Sequence, residues 1–206
     1  MRTRKRTVDT PRGPARVSVV APAGRPVAML ALGHGAGGDV DTPDVVTVRD
    51  AAVAAGLTVA SVTQPYRVAG RRSPAPAAQL DEAWTAVVNI VYAEAGGSPL
   101  PLLLGGRSSG ARVACRTAHA LGAAGLVALA FPLHPPGKPE RSRADELKTG
   151  VPTLVVNGDR DPFGVPSAGP GIDLVVRPGE GHGLRRDPGA VATAVVDWLR
   201  RHGWAR

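Results

Sequence analysis

Short apolar runs alternate along the chain with stretches whose apolar positions recur every three or four residues. Residues 15–22 and 26–33 read as two strands joined by the turn Ala23-Gly24-Arg25. Thr42 is expected to cap a helix with Pro43 in its first position, running to about residue 55. Residues 57–63 form the next strand, and a loop rich in Pro and Arg follows over 65–76. Leu80, Trp84, Val87, Val88 and Val91 share one helical face, which predicts an amphipathic helix over 77–94 with Trp84 in the core. The apolar run 100–104 leads into a helix-like segment over 111–121. Further strands are expected at 125–131, 151–157 and 172–176. Asp187 and Pro188 then open a last helix with Val191, Val195, Trp198 and Leu199 on one face. Strands alternating with helices predict an α/β protein: a mostly parallel, doubly wound sheet covered on both faces. Between the last three strands there is no room for a helical lid, so the carboxyl edge of the sheet is expected to be open.

Composition narrows the class without changing this picture. A chain of 206 residues with 43% hydrophobic content suits one domain with a sizeable core. Its aromatic share is only 3%, so that core is built mainly from Val, Leu and Ala. The net charge is +8, and the basic start Met1-Arg2-Thr3-Arg4-Lys5-Arg6 is expected to be part of a flexible tail over 1–14 preceding a domain over 15–206. No zinc-ligand spacing, RNA-binding aromatic motif or helix-turn-helix pattern accompanies the charge, so no nucleic-acid partner is expected. No apolar stretch approaches the roughly 20 residues that span a bilayer, and the basic start lacks the apolar segment of a secretory signal. One cysteine, Cys115, excludes an intrachain disulfide and fits a cytoplasmic protein.

The chemistry begins at Gly106-Arg107-Ser108-Ser109-Gly110, a G-x-S-x-G motif between an apolar strand and a helix. Such a turn raises a Ser hydroxyl at the carboxyl edge of a sheet, and its glycines permit close backbone approach. A Ser hydroxyl is a poor nucleophile at neutral pH; it needs a base, and the base needs an orienting acid. Later strands end in Gly158-Asp159-Arg160-Asp161-Pro162-Phe163-Gly164 and Gly179-Glu180-Gly181-His182-Gly183, which place an acid and then a histidine at the same edge. Asp161 is the expected acid, with Asp159 as its rival. His182 is the expected base, with His134 as its competitor. The oxyanion would take backbone N–H groups from Ser109 and from Ala36, the latter within His34-Gly35-Ala36-Gly37. That segment also reads simply as a Gly-rich turn before a helix. No Gly-Lys-Ser or Gly-Lys-Thr closes it, so it is not a P-loop.

These blocks resemble the small bacterial α/β-hydrolase-like proteins related to dienelactone hydrolases. They are closest to the family that includes the testis-expressed hydrolase-like proteins of animals and the hydrolase-like subunit of a histone-acetyltransferase complex. The resemblance is carried by Gly33-His34-Gly35-Ala36-Gly37, Asp41-Thr42-Pro43, the segment Gly105 to Arg112 around Ser108, the segment Phe131 to Glu140, and the Asp161 and His182 loops. It implies a single-domain α/β-hydrolase fold without a lid domain and a Ser108–Asp161–His182 triad. Dienelactone hydrolases proper use a Cys nucleophile; this chain has Ser108.

Arg67, Arg71, Arg72, Arg107, Lys138, Arg141, Arg160, Arg185 and Arg186 would gather around the same edge. Arg71 and Arg107, with His34 and His134, are the expected substrate contacts, the two guanidiniums favouring an anionic ester. Two function classes follow. One is a serine hydrolase acting on a small-molecule carboxylic ester or thioester, with no cofactor and no metal. The other is a non-catalytic protein of the same fold that binds an acidic partner.

Overall fold

The computed structural model describes residues 2–206. In chain order it contains β1 (Arg2–Val8), β2 (Ala15–Ala21), β3 (Ala28–Gly33), α1 (Pro43–Ala54), β4 (Leu57–Thr63), a short α2 (Pro65–Val68) and α3 (Ala77–Glu94). Then come β5 (Leu102–Arg107), α4 (Ser109–Thr117), β6 (Gly125–Leu129), a single 3-10 turn at Ala144–Leu147, β7 (Thr153–Gly158), β8 (Ile172–Arg177) and α5 (Pro188–Arg201). The eight strands form one sheet in the order β1-β2-β4-β3-β5-β6-β7-β8. From β4 to β8 all neighbours are parallel, whereas β2 runs antiparallel to both β1 and β4.

Alternation along the central strands builds two cores, one on each face. Met29, Ala31, Leu102, Leu104 and Val155 point to the side covered by α3 and α4. Their neighbours Leu30, Leu32, Leu103, Leu154 and Val156 point to the side covered by α1 and α5. Successive strand side chains face opposite ways, so a strand buried on both faces must be apolar throughout. The expected face of α3 lies in the first core, with Trp84 only 1% exposed, and that of α5 lies in the second. At the start of α5, Asp187 accepts a hydrogen bond from the Ala190 N–H at 2.8 Å, satisfying one otherwise open helix donor. Thr42 does occupy the cap position of α1, but its side chain makes no capping bond.

One expectation is corrected. The basic start is not a flexible tail from Arg2 on: Arg2–Val8 is a full strand, paired from Arg2 with Ala21 to Val8 with Ala15, and the domain includes it; the expectation at Met1 lies outside the described residues. Edge strands rich in charge discourage pairing with other chains, which accounts for its basic, nearly non-apolar composition. Although the turn at 23–25 joins them, β2 and β3 are not neighbours in the sheet; β4 lies between them. No helical insertion separates β6, β7 and β8 among the described residues; only the 3-10 turn and loops do, so the carboxyl edge is lidless. No described helix is long and apolar enough to cross a membrane.

Candidate active site

Three strand ends meet at this edge. Ser108 sits between β5 and α4 with φ 52° and ψ −111°, a backbone conformation that costs an L-residue energy and is held by its surroundings. Its N–H donates to Leu129 O of β6 at 2.9 Å. The flanking glycines are required by close approach: a Cβ on Gly110 would sit 2.5 Å from Gly33 C, and one on Gly106 would sit 2.6 Å from Gly33 O. The elbow is thus pressed directly against the end of β3.

The structure brings Ser108, His182 and Asp161 together. His182 Nε2 lies 2.8 Å from Ser108 Oγ, and His182 Nδ1 lies 2.8 Å from Asp161 Oδ2. The carboxylate of Asp161 is fully buried while the imidazole is 18% exposed, so the line of three runs from the interior to the open edge. A carboxylate can only accept, so Nδ1 carries the proton that it donates to Asp161. In the neutral ring Nε2 is then left with a lone pair, which can accept a hydrogen bond from the Ser108 hydroxyl. Asp159, the rival acid, is turned elsewhere; its Oδ1 accepts from the Gly179 N–H at 2.7 Å.

Sequence reasoning missed two residues that hold this line. Phe163 donates its N–H to Asp161 Oδ1 at 2.9 Å, and its ring lies against the His182 ring with centroids 4.2 Å apart. Asn157 is fully buried, and its Oδ1 accepts from the Phe131 N–H at 2.8 Å. Its amide donates to Phe131 O at 3.2 Å and to Asp161 Oδ2 at 3.4 Å. The amide residue that ends the largely apolar run at 151–157 is the available signal, since a buried amide needs partners close to its strand end.

His34 is corrected from substrate contact to buried support. It is 3% exposed; its Nδ1 donates to Gly35 O at 2.8 Å, and its Nε2 accepts from the Gln64 N–H at 3.0 Å. Gly35 O also accepts from the Gly38 N–H at 3.1 Å. Because a trans peptide points its N–H away from its carbonyl, pinning Gly35 O aims the Ala36 N–H in the opposite direction. Gly35 itself packs on Ser108, where an added Cβ would lie 3.6 Å from Ser108 Cβ. The carbonyl of Ala36 is fixed by the Tyr66 hydroxyl at 2.8 Å. Burial pushes that phenol up to about 12, which keeps it a neutral donor.

Burial lowers the pKa of His34 below its ordinary 6.5, assisted by the nearby Arg67 charge, and outweighs the opposing Gly35 bond and Asp39 charge. The unfolded chain therefore takes up a proton before the folded one does. Stability contributed by the neutral ring is complete above about pH 6.5 and is lost as pH falls toward the lowered folded value. Urea unfolding at pH 7.5 and 5.5 should show a midpoint loss in the wild type that shrinks in His34→Gln. Equal losses in the two proteins would contradict this role.

The other expected contacts are not gathered at Ser108. Arg107 is corrected as a free substrate guanidinium: its Nε lies 3.2 Å from Asp44 Oδ2, and its Nη2 donates to His182 O at 3.0 Å. Arg71 is exposed and lines a groove with Arg12, Tyr66 and Gln79 that includes none of the three central residues. His134 places Nδ1 2.9 Å from Pro135 O, and its ring packs on Gly164 at the far side of the acid loop. Of the remaining rim cations, Arg67 and Arg186 donate to backbone carbonyls, whereas Arg160 and Arg185 are exposed. Among the described residues, no group of three His, Cys, Asp or Glu side chains is placed to hold a metal ion.

Residues 26–172 match the model of the alpha/beta hydrolase domain family. The chain belongs to the α/β hydrolase family. Solved α/β hydrolases share its architecture end to end. XC6422 from Xanthomonas campestris, described as a serine hydrolase without a lid, gives a TM-score of 0.80 at 24% identity over 98% of this chain and 95% of its own. Est1E from Butyrivibrio proteoclasticus gives 0.76 at 16% identity, covering 96% and 98%. The esterase domain of a Rhodothermus marinus protein gives 0.73 at 17% identity, covering 98% and 99%. At these identities the likeness establishes the fold of this α/β hydrolase. No functionally curated protein matches its sequence.

Proposed function

We propose that this α/β hydrolase is a serine hydrolase that cleaves a carboxylic ester or thioester through an acyl-enzyme on Ser108. The observation that carries the reading is the unbroken pair of 2.8 Å contacts linking Ser108 Oγ, His182 and Asp161. As Oγ attacks the carbonyl carbon, His182 Nε2 takes its proton, and Asp161 stabilises the imidazolium. The oxyanion is met by the N–H groups of Ala36 and Ser109, each such donor being worth about 3 kcal/mol in the transition state. His182 returns the proton to the leaving alkoxide or thiolate. A water, deprotonated by the same nitrogen, then releases the acid and restores Ser108.

The substrate is read as a small-molecule ester, with no nucleic acid or membrane taking part, in a cytoplasmic protein. An anionic group away from the scissile bond would be favoured by Arg160, next to Asp161, and by Arg185, whose side chain packs on Gly183 beside His182. A structure of Est1E holds ferulic acid, so aromatic acyl esters belong in the first panel. Kinship with the dienelactone-hydrolase-like and testis-expressed hydrolase-like proteins is part of the same proposal, supported by the sequence blocks from Gly33 to His182.

Pre-steady-state hydrolysis of a p-nitrophenyl ester should give a burst of about one nitrophenolate per chain, followed by slower turnover. Ser108→Ala should abolish both phases. Hydrolysis by the variant at the wild-type rate would refute the assignment.

A further inference from the structure

The general base proposed above is carried on a segment poorly suited to hold it. His182 lies between Gly181 and Gly183, in a loop that also contains Gly179, and glycines leave a backbone its largest conformational freedom. At Gly181 there is no crowding, since an added Cβ would find only Arg160 O, at 4.0 Å. Neighbouring residues are anchored: the Glu180 carbonyl accepts from the Arg160 N–H at 3.0 Å, and Leu184 is fully buried with its N–H donating to Gly181 O at 3.2 Å. At His182 the backbone carbonyl is held, among the described residues, by a single side-chain donor, Arg107 Nη2, at 3.0 Å.

Arg107 is equipped for that task. Its side chain is only 13% exposed, and its Nε lies 3.2 Å from Oδ2 of Asp44, whose side chain is 1% exposed. Asp44 stands in the first turn of α1; among the described residues its carboxylate has no hydrogen-bond partner, and its only charged neighbour within ion-pair distance is Arg107. A carboxylate buried without an opposite charge would be strongly destabilised, so Asp44 and Arg107 are bound to each other. The third guanidinium nitrogen, Nη1, fills the space over Gly35, where a Cβ would lie 2.9 Å from it. One planar fork therefore touches α1, the Gly35–Ala36 segment and the His182 loop, and its backbone belongs to the residue immediately before Ser108.

We infer that Arg107, locked by the buried carboxylate of Asp44, is a positioning residue that fixes the backbone of His182 so that Nε2 stays on Ser108 Oγ. It acts through His182 and touches no reacting atom. The inference rests on the serine-hydrolase reading above. Arginine is needed because its rigid planar group holds charge beside Asp44 through Nε while Nη2 donates to the His182 carbonyl; a lysine is a single point charge on a flexible stem.

Arg107→Lys separates the two tasks. It keeps a cation beside Asp44, which preserves the fold, but it cannot also reach the His182 carbonyl. Three quantities are read for wild type and variant: the rate of inactivation by a fluorophosphonate, kcat and KM for a p-nitrophenyl ester, and the thermal midpoint. The expected result is a 10- to 100-fold fall in both inactivation rate and kcat, with KM within about twofold and the midpoint within a few degrees. Adding Gly181→Ala to the variant stiffens the loop and should recover part of the lost kcat. A variant that reacts within twofold of wild type overturns the inference, and so does one whose slow reaction tracks a collapsed thermal midpoint. Wild-type protein that is inert to the probe removes the inference together with the hydrolase reading, an outcome distinct from wild type and variant reacting alike.

Discussion

Asp161→Asn is expected to lower kcat by about 10⁴-fold, roughly 5.4 kcal/mol, while the protein remains folded. The reason lies in the donors that surround this carboxylate. Phe163 N–H, Asn157 Nδ2 and His182 Nδ1 all point at its two oxygens. Asparagine keeps one oxygen for the Phe163 N–H and turns its amide toward His182. Nδ1 must then accept, the ring proton moves to Nε2, and the lone pair facing Ser108 is gone. Asp159→Asn provides the control: its acceptor for the Gly179 N–H is retained, and activity should stay within about twofold of wild type. Steady-state kinetics on a p-nitrophenyl ester checks both. If Asp159→Asn were the damaging change, the acid would have been assigned to the wrong carboxylate.

Gly110→Ala is expected to be severely damaging for the addition of a single methyl group. The added carbon would lie 2.5 Å from Gly33 C, 2.7 Å from Gly33 O and 2.9 Å from His34 O, all of them backbone atoms in or beside a central strand. Side chains can rotate away from such an intrusion; a paired strand cannot. Overpacking of this kind costs about 3 kcal/mol, which for a chain of this size lowers the thermal midpoint by roughly 6–12 °C. The displaced elbow also moves Ser108 off His182, so activity should fall with stability. Gly24→Ala, where nothing lies within 4 Å, should leave the midpoint unchanged within about 2 °C. Differential scanning calorimetry of the two variants makes the comparison, and equal midpoints would show that the elbow is not packed on β3 as described.

Much of this arrangement is legible in the chain because local signals and tertiary demands agree. The strand at 57–63 and the helix at 77–94 have the expected bounds, since Gly56 and Pro76 punctuate them and their apolar spacing is unambiguous. The order Ser108, Asp161, His182 at three strand ends is readable for a similar reason: an open parallel sheet brings those ends to one edge. What escaped is decided by partners distant in sequence. Arg2–Val8 offers no apolar alternation before Val8 and becomes a strand only because β2 supplies its hydrogen-bond ladder. His34 stands at the correct edge, yet its burial beneath Gln64 depends on how β4 passes the loop. Arg107 reads as one more rim cation until Asp44, at the head of a helix on the far side of β3, claims it. Charge is visible in a sequence; whether it is already neutralised is not.

Intact-mass and peptide mass spectrometry after fluorophosphonate treatment show whether Ser108 is an activated nucleophile. One adduct per chain is expected, on Ser108, lost in Ser108→Ala and in His182→Ala. An unlabelled wild-type protein under conditions where an established serine hydrolase reacts fully, or an adduct on another residue, would contradict that role.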